Sequence, residues 1–244
     1  MRDPGHDHDH DHQASAGSGT ARNRRLSRRQ VMTASAVAAG VGVGSIAAPA
    51  EAATSVRDVS LGERGTTTVE FRGRITQSGS SGQQFTGYGY LIRVTHATQE
   101  DLFDGPPSET TALLTVYATG DLKARVLDTS VHSLDIAGAL TVYQRAHPGA
   151  SFNDPSSFQV GTPVARYDMT LQDVLAVYAT AKGLPTLTGD MRQTAAAALS
   201  GPLSGHRFGA VGTRLRLFAT GLGTLTDPVT LNAQLEIAGN WSIE

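Results

Sequence analysis

Apolar and polar side chains alternate with a period of two along much of the chain beyond residue 65. This is the pattern of strands that bury one face. Val69, Phe71 and Ile75 fall on one face, and Glu70, Arg72 and Arg74 on the other. After a flexible Gly79–Gly82 turn, Tyr88, Tyr90, Ile92 and Val94 share a face opposed by Arg93 and Thr95. Residues 111–120 and 214–219 read as further strands. Leu134, Ile136, Leu140 and Val142 line up within 131–144, and Leu231, Ala233, Leu235 and Ile237 line up near the end.

Two segments depart from this period. Leu171, Val174, Leu175 and Tyr178 recur at helical spacing, with Thr170 and Asp173 as a capping box and Gly183 and Pro185 as a stop. A strand is the alternative there, because Val177 and Tyr178 suit one. Residues 191–200 are Ala-rich, follow Asp190, carry Gln193 at the third helical position and end at Gly201-Pro202, which predicts a short helix. Seven or so strands with Gly turns predict a mainly β domain. It is expected to be an antiparallel β-barrel or a sandwich, with one or two short helices.

The first 53 residues read as an address. A polar stretch with alternating His and Asp from His6 to His12 precedes Arg24-Arg25-Leu26-Ser27-Arg28-Arg29, and an uncharged run from Val31 to Ala50 follows. Basic region, weakly apolar region and small-residue exit are the parts of an export signal. Overlapping small-x-small sites at Ala50, Ala52 and Ala53 place the cut near Ala52 or Ala53. That leaves 54–244 as a single β-rich domain. An uncleaved membrane anchor is the alternative, but Gly40, Gly42 and Gly44 make the run a poor span. The His-Asp run has metal-binding chemistry, yet it precedes the cut, and no metal function is expected from it.

Ser27-Arg28-Arg29 resembles the core of a bacterial twin-arginine (Tat) signal, although Val31-Met32-Thr33 stand where that family usually has Phe-Leu-Lys. The resemblance implies that the precursor meets the Tat machinery and crosses the cytoplasmic membrane already folded, to a secreted or extracytoplasmic location. In the mature region, Phe85-Thr86-Gly87-Tyr88-Gly89-Tyr90 and residues 214–223 resemble the strand texture of small secreted barrels of the dirigent and allene-oxide-cyclase kind. No motif maps residue by residue, so the resemblance implies architecture rather than function.

Composition narrows the chemistry. The chain of 244 residues has no Cys, which removes disulfides, thiol nucleophiles and Cys-based metal sites. Its formal charge of −2 offers no footprint for nucleic acid or an anionic membrane. Signatures of serine hydrolases, zinc peptidases and phosphate-binding loops are missing, and Gly221-Leu222-Gly223 reads as a strand-end turn. No cofactor or metal is expected.

Four histidines remain: His96, His132, His147 and His206. Continued alternation puts His96 with Tyr88 and Tyr90, and His132 with Leu134 and Ile136. A histidine ending an apolar strand face sits at a barrel mouth, where it acts as acid, base or ligand. The plainer alternative is a core-edge histidine satisfied by one hydrogen bond. Asp135 lies three residues from His132, hence on the opposite face. Tyr88 and Tyr90 are candidate ligand contacts, presenting hydroxyls in an apolar cavity, or else ordinary core tyrosines.

Three functions fit these features. One is an exported domain that binds an apolar small molecule. Another is a cofactor-independent cyclase or isomerase with His96, His132 or Tyr90 as proton handlers, since holding a substrate in a reactive geometry supplies much of the acceleration. The third is a structural or cell-envelope interaction protein.

Overall fold

The computed structural model describes residues 57–59 and 65–244. The export signal, its Ser27-Arg28-Arg29 motif and the cleavage residues Ala50, Ala52 and Ala53 lie outside the described residues. The strands are, in chain order, β1 (Arg57–Val59), β2 (Thr67–Ser78), β3 (Gln84–Val94), β4 (Leu114–Leu127), β5 (Val131–Gln144), β6 (Thr162–Ala179), β7 (Lys182–Ala196), β8 (His206–Phe208), β9 (Arg214–Asp227) and β10 (Asn232–Ile243). Eight of them close an antiparallel barrel in the order β2-β3-β4-β5-β6-β7-β9-β10, with β10 returning to β2. Strands β1 and β8 form a separate parallel pair. The domain is therefore a barrel and not a sandwich.

Neither expected helix forms. Leu171–Tyr178 lies within β6, and Met191 begins the last part of β7. Both segments are paired to neighbours on two sides, so ladder hydrogen bonds and a buried face outweigh local helical spacing. Pro185 does not stop a helix. It sits in β7 between the registered pairs Gly183–Gly223 and Thr186–Thr220, and its carbonyl accepts from Thr220 Oγ1 at 3.1 Å. Among the described residues the helical elements are α1 (Gln99–Leu102) and two 3-10 turns, Pro155–Gln159 and Gly201–Leu203.

The barrel is apolar inside and polar outside. Phe71, Leu91, Tyr167, Met191, Leu215 and Trp241 are buried in its interior. Cross-strand ion pairs stud the outer wall: Arg93–Glu70 at 2.7 Å, Arg74–Glu236 at 2.8 Å and Arg216–Asp190 at 2.5 Å. This polarity is the reverse of a lipid-spanning barrel. No helix among the described residues is long and apolar enough to cross a membrane.

Most barrel strands also turn a glycine inward, and some of these glycines are sterically required. A Cβ on Gly221 would lie 1.8 Å from Glu236 O, and one on Gly138 would lie 2.0 Å from Thr119 O. Missing side chains let neighbouring strands coil closely and leave the interior incompletely filled. Gly221 and Gly223 are thus mid-strand residues of β9, not a strand-end turn.

The two barrel ends differ. At one, the chain reverses between β2 and β3, β4 and β5, β6 and β7, and β9 and β10, by hairpins. At the other, longer connections leave β3, β5 and β7. Two of these fold over the outer wall of β2–β4. Leu102, Phe103, Ala150 and Phe158 are buried there, and Thr115 Oγ1 donates to Phe158 O at 2.7 Å. The third connection is tied to the barrel by Gln193, whose Nε2 donates to Phe208 O at 2.5 Å.

Candidate functional site

The interior holds two spaces stacked along the barrel axis. A central cavity of about 70 Å3 is almost wholly apolar, bounded by Ile75, Phe85, Ile136, Leu187 and Ile237 among others. A larger one of about 150 Å3 opens at the hairpin end. Its walls are Leu134, Leu175, Leu225 and Leu235, and they carry Gln77, Arg125, His132, Asp173 and Lys182. Consecutive inward residues line the two spaces: Ile75 then Gln77, Ile136 then Leu134, Leu171 then Asp173.

Asp173 is the unusual member. It is only 5% exposed, and its Oδ1 has no hydrogen-bond partner. Burial pushes its carboxyl up to about 7, opposed by a hydrogen bond from the Thr186 backbone N–H. The group therefore exchanges its proton near neutrality.

Arg125 approaches from two strands away. It pairs with Leu134, which pairs with Asp173, so the two backbones stand about 10 Å apart across the sheet. Arg125 Nη2 donates to Ser81 O at 2.7 Å, which anchors it to the β2–β3 turn, while its Nε is buried without a partner. Gln77 Nε2 donates to Gly82 O of the same turn at 2.8 Å. Lys182 Nζ donates to Thr224 Oγ1 at 3.0 Å. The mouth thus offers unused donor and acceptor capacity inside an apolar wall.

The four residues singled out from sequence scatter. His132 lies in the mouth cavity, opposite Leu127 and Leu175, on the face of Leu134 as its alternation implied. Asp135, one strand residue of opposite parity, is exposed on the outer wall. His96 is at the other end of the barrel, exposed in a turn after β3 with φ of 70°. It does not share a strand face with Tyr88 and Tyr90, and it cannot act together with His132. Asp101, in the segment that follows His96, accepts from Thr98 N at 2.8 Å at the start of α1.

Tyr88 and Tyr90 do not point hydroxyls into the cavity. Tyr88 contributes to the wall of the central cavity, but it is registered with Arg74 on the outward face, and its ring packs 5.5 Å from that of Phe158. Tyr90 meets Phe103 edge-on at 6.1 Å. Arg74 stacks over Phe152 at 4.7 Å and completes this external aromatic layer. Burial raises the Tyr90 phenol, partly offset by Arg72 beside it. These tyrosines hold the outer connections down.

A bulge explains the β3 error. Phe71 pairs with Leu91 while Glu70 pairs with Arg93, so Ile92 is an extra residue, and Val94 turns inward where unbroken alternation would leave it with the tyrosines. A second bulge in β4, at Lys123, turns Arg125 inward. Sequence reasoning missed Arg125 because it ended this strand at Gly120, seven residues short of Leu127, and alternation carried past the bulge would have pointed Arg125 outward. It missed Asp173 because that residue was assigned to a helix cap, although a period-two reading of Tyr167, Met169, Leu171, Asp173, Leu175 and Val177 exposes one acid in an otherwise apolar row.

Among the described residues no group of His, Asp and Glu is arranged to hold a metal ion. No protein-family model matches the chain, and no curated protein and no solved structure matches it either.

Proposed function

We propose that the mature domain is an exported binding protein that takes a small, largely apolar molecule into the hairpin-end mouth of its barrel. The observation that carries this reading is the mouth cavity itself, whose apolar walls hold two buried polar atoms, Asp173 Oδ1 and Arg125 Nε, with no protein partner. A buried polar group left unpaired costs about 1–3 kcal/mol, and more when charged. Both atoms are closed to a water-sized probe, so a ligand reaches them only with a shift of their own side chains, and one that does so recovers part of that cost. Few convergent polar groups in an apolar concavity are the usual composition of a small-molecule site. The volume, about 150 Å3, matches that of an apolar cavity able to take up benzene. The occupant is correspondingly small. Export through the Tat route, inferred from Ser27-Arg28-Arg29, places this binding outside the cytoplasm.

One observation favours a second reading. A carboxyl poised at about 7 in the same cavity as an imidazole is suited to moving a proton, as a cofactor-independent isomerase or cyclase requires. In that case Asp173→Asn and His132→Ala abolish turnover and retain binding.

Native mass spectrometry of the protein recovered from its own host's culture medium tests the main reading. The expected result is a chain shortened by about 53 residues, the length of an ordinary export leader with its polar extension, carrying a co-purifying organic mass. Intact precursor retained in the cells, or a mature chain that binds nothing in a subsequent small-molecule screen, refutes it.

A further inference from the structure

The polar equipment of the mouth cavity is unbalanced in charge. Its charged and titratable groups are Arg125 from β4, His132 from β5, Asp173 from β6 and Lys182 from β7, with Gln77 of β2 and Thr224 of β9 completing the polar wall. Two are permanent cations. Among the described residues neither has a carboxylate within ion-pair distance, since the pairs on the barrel are made by other arginines. Asp173, the single acid, makes no ion pair with them and is protonated over part of the neutral range. The site therefore presents positive charge with an unused guanidinium N–H and, two strands away across the same cavity, a carboxyl able to share a proton. The rest of the wall is leucine, valine, alanine and glycine.

We infer that the ligand is a small monocarboxylic acid, whose carboxylate is held by Arg125 and hydrogen-bonded by Asp173, with its apolar body against Leu134, Leu175 and Leu235. The assignment rests on the small-molecule reading above and adds the class of the polar group. An arginine anchored through Nη2 on the Ser81 carbonyl keeps Nε in a fixed direction, which suits recognition of a planar carboxylate. The apolar body is limited to roughly six carbons, the size of the molecule that fills a cavity of this volume. Lys182 is exposed and screened by water, but Arg125 is half-buried with its Nε shut off from solvent. A ligand alcohol or amide would leave that guanidinium without an anion, whereas a carboxylate neutralises it. Asp173 then acts as a proton-dependent gate. When protonated it donates to a ligand oxygen, and when ionised it repels the ligand.

Two acids, benzoate and hexanoate, and the matched alcohols, benzyl alcohol and 1-hexanol, make the test. Each is titrated into the full wild-type protein and followed by calorimetry and by amide chemical shifts. The expected result is at least tenfold tighter binding of the acids, with shifts concentrated at Arg125, His132 and Asp173. Acid affinity should fall by about tenfold or more between pH 6 and 8, and Asp173→Asn, which retains His132 and Lys182, should remove most of that fall. Arg125→Gln should erase the preference for acid over alcohol. Alcohols binding as tightly as the acids overturn the carboxylate assignment and leave the cavity reading intact. Binding by none of the four overturns both. Acid affinity independent of pH overturns the role given to Asp173. The comparison of acid with alcohol uses only wild-type protein, so it stands even if a variant fails to fold.

Discussion

Asp173 makes stability depend on pH in a direction opposite to most carboxylates. Its ordinary value of 3.8 describes the unfolded chain, and burial raises it to about 7 in the barrel. Below about 3.8 the group is protonated in both states and contributes no dependence. Between the two values the folded protein keeps a proton that the unfolded chain has released, so rising pH favours unfolding. Above about 7 the penalty is complete. A difference of about three units corresponds to about 4 kcal/mol at about 1.4 kcal/mol per unit. At 5% exposure the solvent screening that weakens surface shifts is largely absent, though local rearrangement would lower the figure. Asp173→Asn removes the titration while keeping the side-chain shape. Its amide adds an unsatisfied donor, a constant cost of about 1–3 kcal/mol that does not change with pH. Urea unfolding of both proteins at pH 4.5, 6, 7 and 8 isolates the effect as the change in their difference. The variant should gain about 3–4 kcal/mol on the wild type across that range, most of it below pH 7. A difference that stays flat within about 1 kcal/mol would refute the claim that Asp173 is buried, unpaired and proton-poised.

Other perturbations address the frame around the site. Gly221→Ala drives a Cβ against Glu236 O, a backbone atom that cannot swing away, and should cost roughly 2–4 kcal/mol by thermal or urea unfolding. Thr115→Val takes the hydroxyl donor from the buried Phe158 carbonyl and should cost about 1–3 kcal/mol, with faster proteolysis in 146–161 as the local readout. Arg93→Gln breaks an ion pair between a 61% and a 37% exposed side chain, and its effect on stability should stay under about 1 kcal/mol and vanish in high salt. His132→Ala should weaken ligand uptake measurably while His96→Ala leaves it unchanged, because the two lie at opposite ends of the barrel; equal effects in a calorimetric titration would contradict the placement of the site.

Much of the architecture was legible in the linear chain. Alternation in 69–75, 131–144 and 233–237 marks strands with one apolar face, while Leu231, counted with the last of them, stands in the turn before β10 with φ of 58°. The absence of long helical periodicity confines the fold to the β class. His132 was readable as a mouth residue because β5 runs without a bulge from that residue to Val142. A period-two pattern specifies which side chains share a face, since successive residues of an extended chain point to opposite sides.

The chain alone could not say what each face meets. The identity of inside and outside on β3 depends on an extra residue at Ile92, and that on β4 on another at Lys123, and bulges are defined by the partner strand's register. Closure of the sheet, rather than local propensity, made strands of 171–178 and 191–196, because every edge in a barrel must be paired. Closure also brought Arg125, His132 and Asp173 to one end while sending His96 to the other and the tyrosines outward. Strand character is a property of neighbouring residues and can be read from them. The site is a property of eight strands meeting in one register, so its charged groups found each other only when the barrel closed.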